Sequence, residues 1–146
     1  MRLLGLDVGD RRIGLALSDE SATLASGLPT FERIGPRKDL AFLARLAQEH
    51  EAGEVVVGLP RRLDGGIGPQ AEKVMVLVEG LRARLRVPVV TWDERFTTTI
   101  AEQALIEGDV SRRKRRDKVD QLAAVLILQS YLDYRKLAGP AEGAGA

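Results

Sequence analysis

The segment Glu54-Val55-Val56-Val57-Gly58-Leu59 most restricts what this chain can fold into. It is apolar and β-branched without polar alternation, the pattern of a strand covered on both faces. Pro60 ends it. The flanking segments have helical spacing instead. Before it, from Lys38, come Leu40, Leu43, Ala44, Leu46 and Ala47, with a stop near Gly53. After the glycine- and arginine-rich loop from Arg61 to Gly68, a helix is expected from about Pro69 to Leu85, with Pro69 suited to a first helical position. A doubly covered strand between two helices belongs to an α/β layer architecture.

The other segments fit such a sheet. Arg2 to Val8 and Arg12 to Ser18 are short apolar runs separated by Gly9-Asp10-Arg11, which predicts an antiparallel hairpin. Leu28 to Ile34 reads as a third strand, and Pro29 argues for an edge position or a late start. Val87 to Trp92 is the last strand. Thr99 and Glu102 have capping-box spacing, so a helix is expected from Thr99 to about Gly108. A long final helix is expected from about Asp117 to Leu137, after a strongly basic stretch. The fold class is therefore α/β: a mixed five-stranded sheet, antiparallel in its first three strands and then parallel, flanked by helices. Residues 1–138 form one domain in this reading. The tail 139–146 is glycine, alanine, proline and one glutamate, and is expected to be disordered.

Composition narrows the chemistry. The 146-residue chain has no cysteine, which excludes disulfides, thiolate zinc sites and cysteine nucleophiles. His50 is the single histidine, so a multi-histidine metal site is excluded too. It reads as a solvated residue at a helix C-terminus. Catalysis would fall to carboxylates, lysines, arginines or hydroxyls. No apolar run approaches the ~20 residues of a membrane span, and Asp7 interrupts any signal-peptide core. A cytoplasmic protein with no membrane partner is expected. Formal net charge is +1, so any attraction to nucleic acid must come from local patches.

Three acids stand at positions that matter in such a sheet. Asp7 is near the C-terminal end of the first strand, and Glu94 follows the last strand. Ligand sites of open α/β sheets gather at these ends. Should those two strands be neighbours, both acids border one crevice. Asp120 opens an otherwise mostly apolar helix, one turn after Asp117. Carboxylates held together repel one another unless a cation neutralises them. Mg²⁺ prefers such oxygen donors, and two ions ~3.5–4 Å apart suit phosphodiester hydrolysis. The competing reading is structural: Asp7 caps a turn, and Asp117 or Asp120 stabilises a helix N-terminus. Spacing alone leaves both open.

The segment Leu6-Asp7-Val8-Gly9-Asp10-Arg11-Arg12-Ile13-Gly14-Leu15-Ala16 resembles the opening motif of the YqgF family, also called RuvX. Further matches follow in order. They are Val57-Gly58-Leu59-Pro60 with Asp64-Gly65 and Gly68-Pro69-Gln70-Ala71, then Asp93-Glu94-Arg95-Phe96-Thr97-Thr98, then Lys118-Val119-Asp120 with Ala123-Ala124 and Ile127 to Leu132. Together they cover nearly the whole chain except the tail. Arg61-Arg62-Leu63 is more basic than in many relatives, and Phe96 stands where leucine is common. The resemblance implies a ribonuclease-H-like fold related to the RuvC Holliday-junction resolvases, and a phosphodiesterase using Mg²⁺ or Mn²⁺ at a two-metal site. It implies maturation of the 5′ end of 16S ribosomal RNA, on ribosomal precursor particles, with cleavage of branched DNA as the alternative. The family acids fall on Asp7, Glu94 and Asp120, and related resolvases make Asp117 a fourth candidate.

Basic residues then acquire a place. Arg112, Arg113, Lys114, Arg115, Arg116 and Lys118 immediately precede or flank the last acids. Such a run can hold a phosphate backbone while metal offsets the acids. Arg11 and Arg12 beside Asp7 are either phosphate contacts or solvated turn residues. Arg61, Arg62 and Arg95 are weaker candidates for the same surface. Gly9 permits a tight turn, and Gly5 permits close approach of another element. Trp92, Tyr131 and Tyr134 read as packing residues. Two other functions compete. Asp7-Val8-Gly9 with Arg12 is similar to the first phosphate loop of actin-like ATPases, but those enzymes close two such domains around ATP. A non-catalytic nucleic-acid module would need only the basic run. A junction resolvase would be a homodimer, whereas an RNA processor can be a monomer.

Overall fold

The computed structural model describes residues 1–61, 64–93 and 112–138, with side chains from residue 121 onward in the last segment. In chain order the elements are β1 (Arg2–Val8), β2 (Arg12–Ser18), β3 (Ala25–Glu32), α1 (Pro36–Glu49), β4 (Ala52–Leu59), α2 (Pro69–Arg84), β5 (Val89–Asp93) and α3 (Arg112–Ala138). The strands form one sheet in the order β3-β2-β1-β4-β5. The hairpin β1–β2 and the pair β2–β3 are antiparallel, while β4 runs parallel to both β1 and β5. The mixed sheet expected from the sequence is therefore present. β1 and β5 are not neighbours, however: β4 lies between them. The condition under which Asp7 and Glu94 would border one crevice, adjacent β1 and β5, is therefore not met.

Period-2 alternation divides the sheet into two faces. Leu4, Leu6 and Val8 of β1, Ile13 and Leu15 of β2, and Val55, Val57 and Leu59 of β4 point to one side. There they pack on Leu43 and Ala47 of α1 and Val74, Leu77, Val78 and Leu81 of α2. Leu3, Ala16 and Val56 point to the other side, against Ala124, Ile127, Leu128 and Leu132 of α3. β4 is covered on both faces, which is why its sequence shows no alternation.

Small residues let α3 lie low on the sheet. A Cβ on Gly5 would stand 2.8 Å from Leu128 Cβ, and one on Gly27 would stand 3.1 Å from Gln121 Oε1. Since Gly27 pairs with Ala16 and Ala16 with Gly5, one row of small residues crosses three strands beneath the helix. Polar ties hold it there. Gln129 accepts from the Ala25 amide at 2.9 Å, and the Trp92 indole N–H donates to Ser130 Oγ at 3.1 Å. The Tyr131 hydroxyl donates to Glu54, which is also 3.9 Å from Arg135.

Several boundaries differ from the sequence reading. β3 begins at Ala25 rather than Leu28, and Pro29 is tolerated because β3 is an edge strand. α3 begins at Arg112, so the basic run is helical rather than a separate stretch before the helix. Arginine and lysine are good helix formers, and their charge hid this. The helix expected from Thr99 to Gly108 and the tail 139–146 lie outside the described residues. Among the described residues, no helix is long and apolar enough to cross a membrane.

Candidate functional site

The C-terminal ends of β1, β4 and β5 lie side by side, and Asp7 is on the first of them. It is on the α3 face, in step with Leu3 and Gly5, and is half-buried. Its β2 partner is Gly14. Leu6 is beside Val57, so Asp7 is level with Gly58 of β4, and Gly58 pairs with Trp92 of β5. The residues level with Asp7 on both neighbouring strands are therefore glycines. At ~4.8 Å per strand, β5 is about 10 Å from β1. Gly58 leaves that interval free of any β4 side chain.

The rim of this site is built by three connections. The first is the turn from β1 to β2. Gly9 N–H donates to Arg12 carbonyl at 2.8 Å, and a Cβ on Gly9 would lie 2.8 Å from that oxygen. The turn needs glycine for space, and it sends Arg11 outward and leaves Arg12 half-buried. The second connection follows β4. Arg61 Nη1 donates to the Gly65 carbonyl at 3.1 Å, and Arg61 Nε is 4.0 Å from Asp93 Oδ2. The third is Lys73 of α2, whose ammonium is 3.6 Å from Asp10 on the turn. Both of these ion pairs are solvent-exposed, so they orient the rim more than they stabilise it.

The family described as "RuvX: Holliday junction resolvase" matches residues 1–134. The chain belongs to the RuvX family. A family protein from Thermoanaerobacter pseudethanolicus, named "Putative pre-16S rRNA nuclease", is 50% identical over 93% of this chain and 99% of its own length. One of the same name from Caldanaerobacter subterraneus is 53% identical over 93% of this chain and 99% of its own. Among solved structures, T. thermophilus RuvC in complex with a Holliday junction substrate superposes with a TM-score of 0.56 at 19% identity, covering 93% of this chain and 96% of that one. The fowlpox virus Holliday junction resolvase gives 0.57 at 13% identity, covering 92% and 100%. These two likenesses show that the RuvX chain has the ribonuclease-H-like resolvase fold.

The remaining site candidates divide by position. Asp117 and Asp120 are in the second and third turns of α3 rather than at its N-terminus, and Asp120 is one helical turn before Ala124. The basic residues Arg112, Arg113, Lys114, Arg115, Arg116 and Lys118 occupy the first two turns. The side chains of all eight are outside the description, as are Arg62, Glu94 and Arg95. Among the described residues there is no group of three or more His, Asp or Glu side chains that could hold a metal ion. Of the described candidates, Arg61 is turned onto Asp93 and Gly65.

Two residues of this rim escaped the sequence reading. Asp39 is buried, and Arg33 is mostly covered beside it. Arg33 Nε donates to Asp39 Oδ2 at 2.9 Å and Nη1 donates to the Gly9 carbonyl at 3.0 Å. Asp39 Oδ1 accepts from the Ile34 and Gly35 amides at 2.9 and 3.3 Å. Burial works against ionisation of Asp39, but these N–H donors and the Arg33 guanidinium outweigh it and hold the carboxyl below its ordinary range. The sequence signal was weak: an acid in the first turn of a helix whose N-cap is glycine.

Proposed function

We propose that this RuvX chain is a metal-dependent nuclease of the cytoplasm that hydrolyses phosphodiester bonds in processing the 5′ end of pre-16S rRNA. The observation that carries the reading is the setting of Asp7. A half-buried carboxylate stands at a central strand end, with glycine on both neighbouring strands at its level. The names of the family relatives, matched over nearly their whole length, support the substrate.

The donor chemistry fits a hard cation. Asp7 offers oxygen, the donor type that Mg²⁺ prefers while keeping part of its water shell, and the neighbouring strand residues at its level are glycines. In this reading Asp7, Glu94 and Asp120 hold Mg²⁺ or Mn²⁺, with Asp117 as a fourth candidate. The chemistry such ions supply is activation of a water and neutralisation of charge at the scissile phosphate. The protein's own share is orientation. Asp7 is fixed by sheet pairing, Asp120 belongs to a helix packed on that sheet, and Glu94 follows Asp93 of β5 in the chain. In the same reading Arg11, Arg12, Arg62, Arg95 and the basic residues of α3 hold the nucleic-acid backbone. Arg61 contributes through Asp93.

The family description favours a second substrate, the Holliday junction. A junction resolvase must cut two strands and would act as a homodimer, whereas an RNA processor needs one site. The two are separated by offering purified protein a 5′-extended 16S precursor and a four-way DNA junction with Mg²⁺, alongside Asp120→Asn. Cleavage of the precursor, lost in the variant, is expected. Equal cleavage by the variant would sink the mechanism, and cleavage of the junction alone would move the substrate to DNA.

A further inference from the structure

We infer that Arg33 and Asp39 are positioning residues for nucleic-acid backbone binding, acting through the β1–β2 turn that carries Arg11 and Arg12. The inference rests on the nuclease reading above.

The starting point is the link from β3 to α1. The α1 N-cap is Gly35, which has no side chain to cap the helix. Asp39 supplies what is missing: one carboxylate oxygen takes the Ile34 and Gly35 amides, much as the acid of a capping box reaches back to the N-cap. That leaves its second oxygen for Arg33. The guanidinium is thereby held in one orientation, and its other arm reaches 24 positions back in the chain to the Gly9 carbonyl. The Arg33 backbone N–H donates to the Arg11 carbonyl at 2.8 Å. Residue 33 thus grips the turn at both ends of its tip, and the Gly9–Arg12 hydrogen bond closes it.

A cap alone would require only the first half of this network. The second half ends on Gly9, two residues after Asp7, and on Arg11. Long arginine side chains meet phosphates in register only if their backbone is fixed, and here it is fixed relative to the strand that bears Asp7. A covered ion pair is a weak source of stability but a good source of a single geometry.

The test is a double-mutant cycle read by binding, at a temperature where circular dichroism shows every variant folded. The probes are a labelled 5′-extended 16S precursor fragment and a labelled four-way DNA junction. The variants are Arg33→Gln, the pair Arg11→Ala with Arg12→Ala, and all three together. Arg33→Lys and Asp39→Asn accompany them. Arg33→Gln should weaken binding roughly tenfold in the native background and hardly at all once Arg11 and Arg12 are gone, a coupling of ordinary size for residues in one network. Arg33→Lys keeps the charge but loses the fork, and should weaken binding as well. If Arg33→Gln does not fold, Arg33→Lys carries the cycle. Additive losses, or full affinity with only a lower Tm, would overturn the inference while leaving the nuclease reading intact. Wild-type protein that binds neither probe would overturn both.

Discussion

Gly5→Ala is the substitution whose effect the packing defines most sharply. The new methyl would lie 2.8 Å from Leu128 Cβ, whereas apolar carbons rest at about 3.5–4.0 Å. The shortfall is about 1 Å, and no rotamer change removes it, because a Cβ moves only with its backbone. Either β1 or α3 must therefore shift, and the α3-side core of Leu3, Ala16, Val56, Ala124, Ile127, Leu128 and Leu132 must loosen. Overpacking of this kind costs about 1–3 kcal/mol. For a domain of this size the middle of that range lowers Tm by roughly 4–8 °C. Activity should fall further than stability, because α3 carries Asp120 and β1 carries Asp7. A displacement of ~1 Å between reacting groups can cost about 10²-fold. Thermal melts followed by circular dichroism, with single-turnover cleavage well below Tm, measure both effects. Adding Leu128→Ala should not rescue, since alanine keeps the offending Cβ. An unchanged Tm, or rescue by Leu128→Ala, would refute the reasoning.

Other expectations concern the polar ties. Asp39→Ala removes the partner of Arg33 and of two amides and should cost about 3 kcal/mol in urea unfolding. Because the Asp39 carboxyl is held below its ordinary value of 3.8, its contribution is complete above that pH and is lost as pH falls through the lower folded value. Asp39→Asn should therefore show a flatter loss of stability than wild type below that pH. At the other end of the scale, burial first, then the hydrogen bond to Glu54, raises the Tyr131 phenol above its ordinary 10.0. Its contribution is present below that pH and is lost as pH rises through the folded value. Ultraviolet titration of wild type should show a late phenol that is absent from Tyr131→Phe, which should also be less stable by about 1–3 kcal/mol. Trp92→Phe deletes the bond to Ser130 and should cost about 1 kcal/mol at neutral pH.

How much of this was legible in the sequence depended on whether a residue's role was local. The hairpin strands Arg2–Val8 and Arg12–Ser18 and the start of α2 at Pro69 match the reading of apolar runs and turn residues. So does the role of Gly5, a small residue beneath a close neighbour. The early start of β3 was not legible. Ala25, Ser26 and Gly27 have little strand propensity and are there because α3 passes over them, a long-range cause. The separation of β1 from β5 by β4 was also a matter of topology that strand order along the chain does not specify. Asp7 stood out as a candidate because its motif is contiguous. Arg33 and Asp39 were missed because their meaning lies in the Gly9 carbonyl, far off in sequence. Trp92, Tyr131 and Tyr134 pack together as expected, with the Trp92 ring centroid 5.3 and 5.2 Å from the two tyrosines.

The most direct test of the central claim is Asp7→Asn, which keeps the size of the side chain and removes its charge. Cleavage of a 5′-extended 16S precursor by wild type and variant is measured with Mg²⁺, with Mn²⁺ and with excess chelator, with circular dichroism to establish that both proteins are folded. The account predicts that wild type cuts with either ion and not with chelator, and that folded Asp7→Asn cuts under none of the three conditions. Cleavage by the variant at the wild-type rate, or by wild type in chelator, would contradict it.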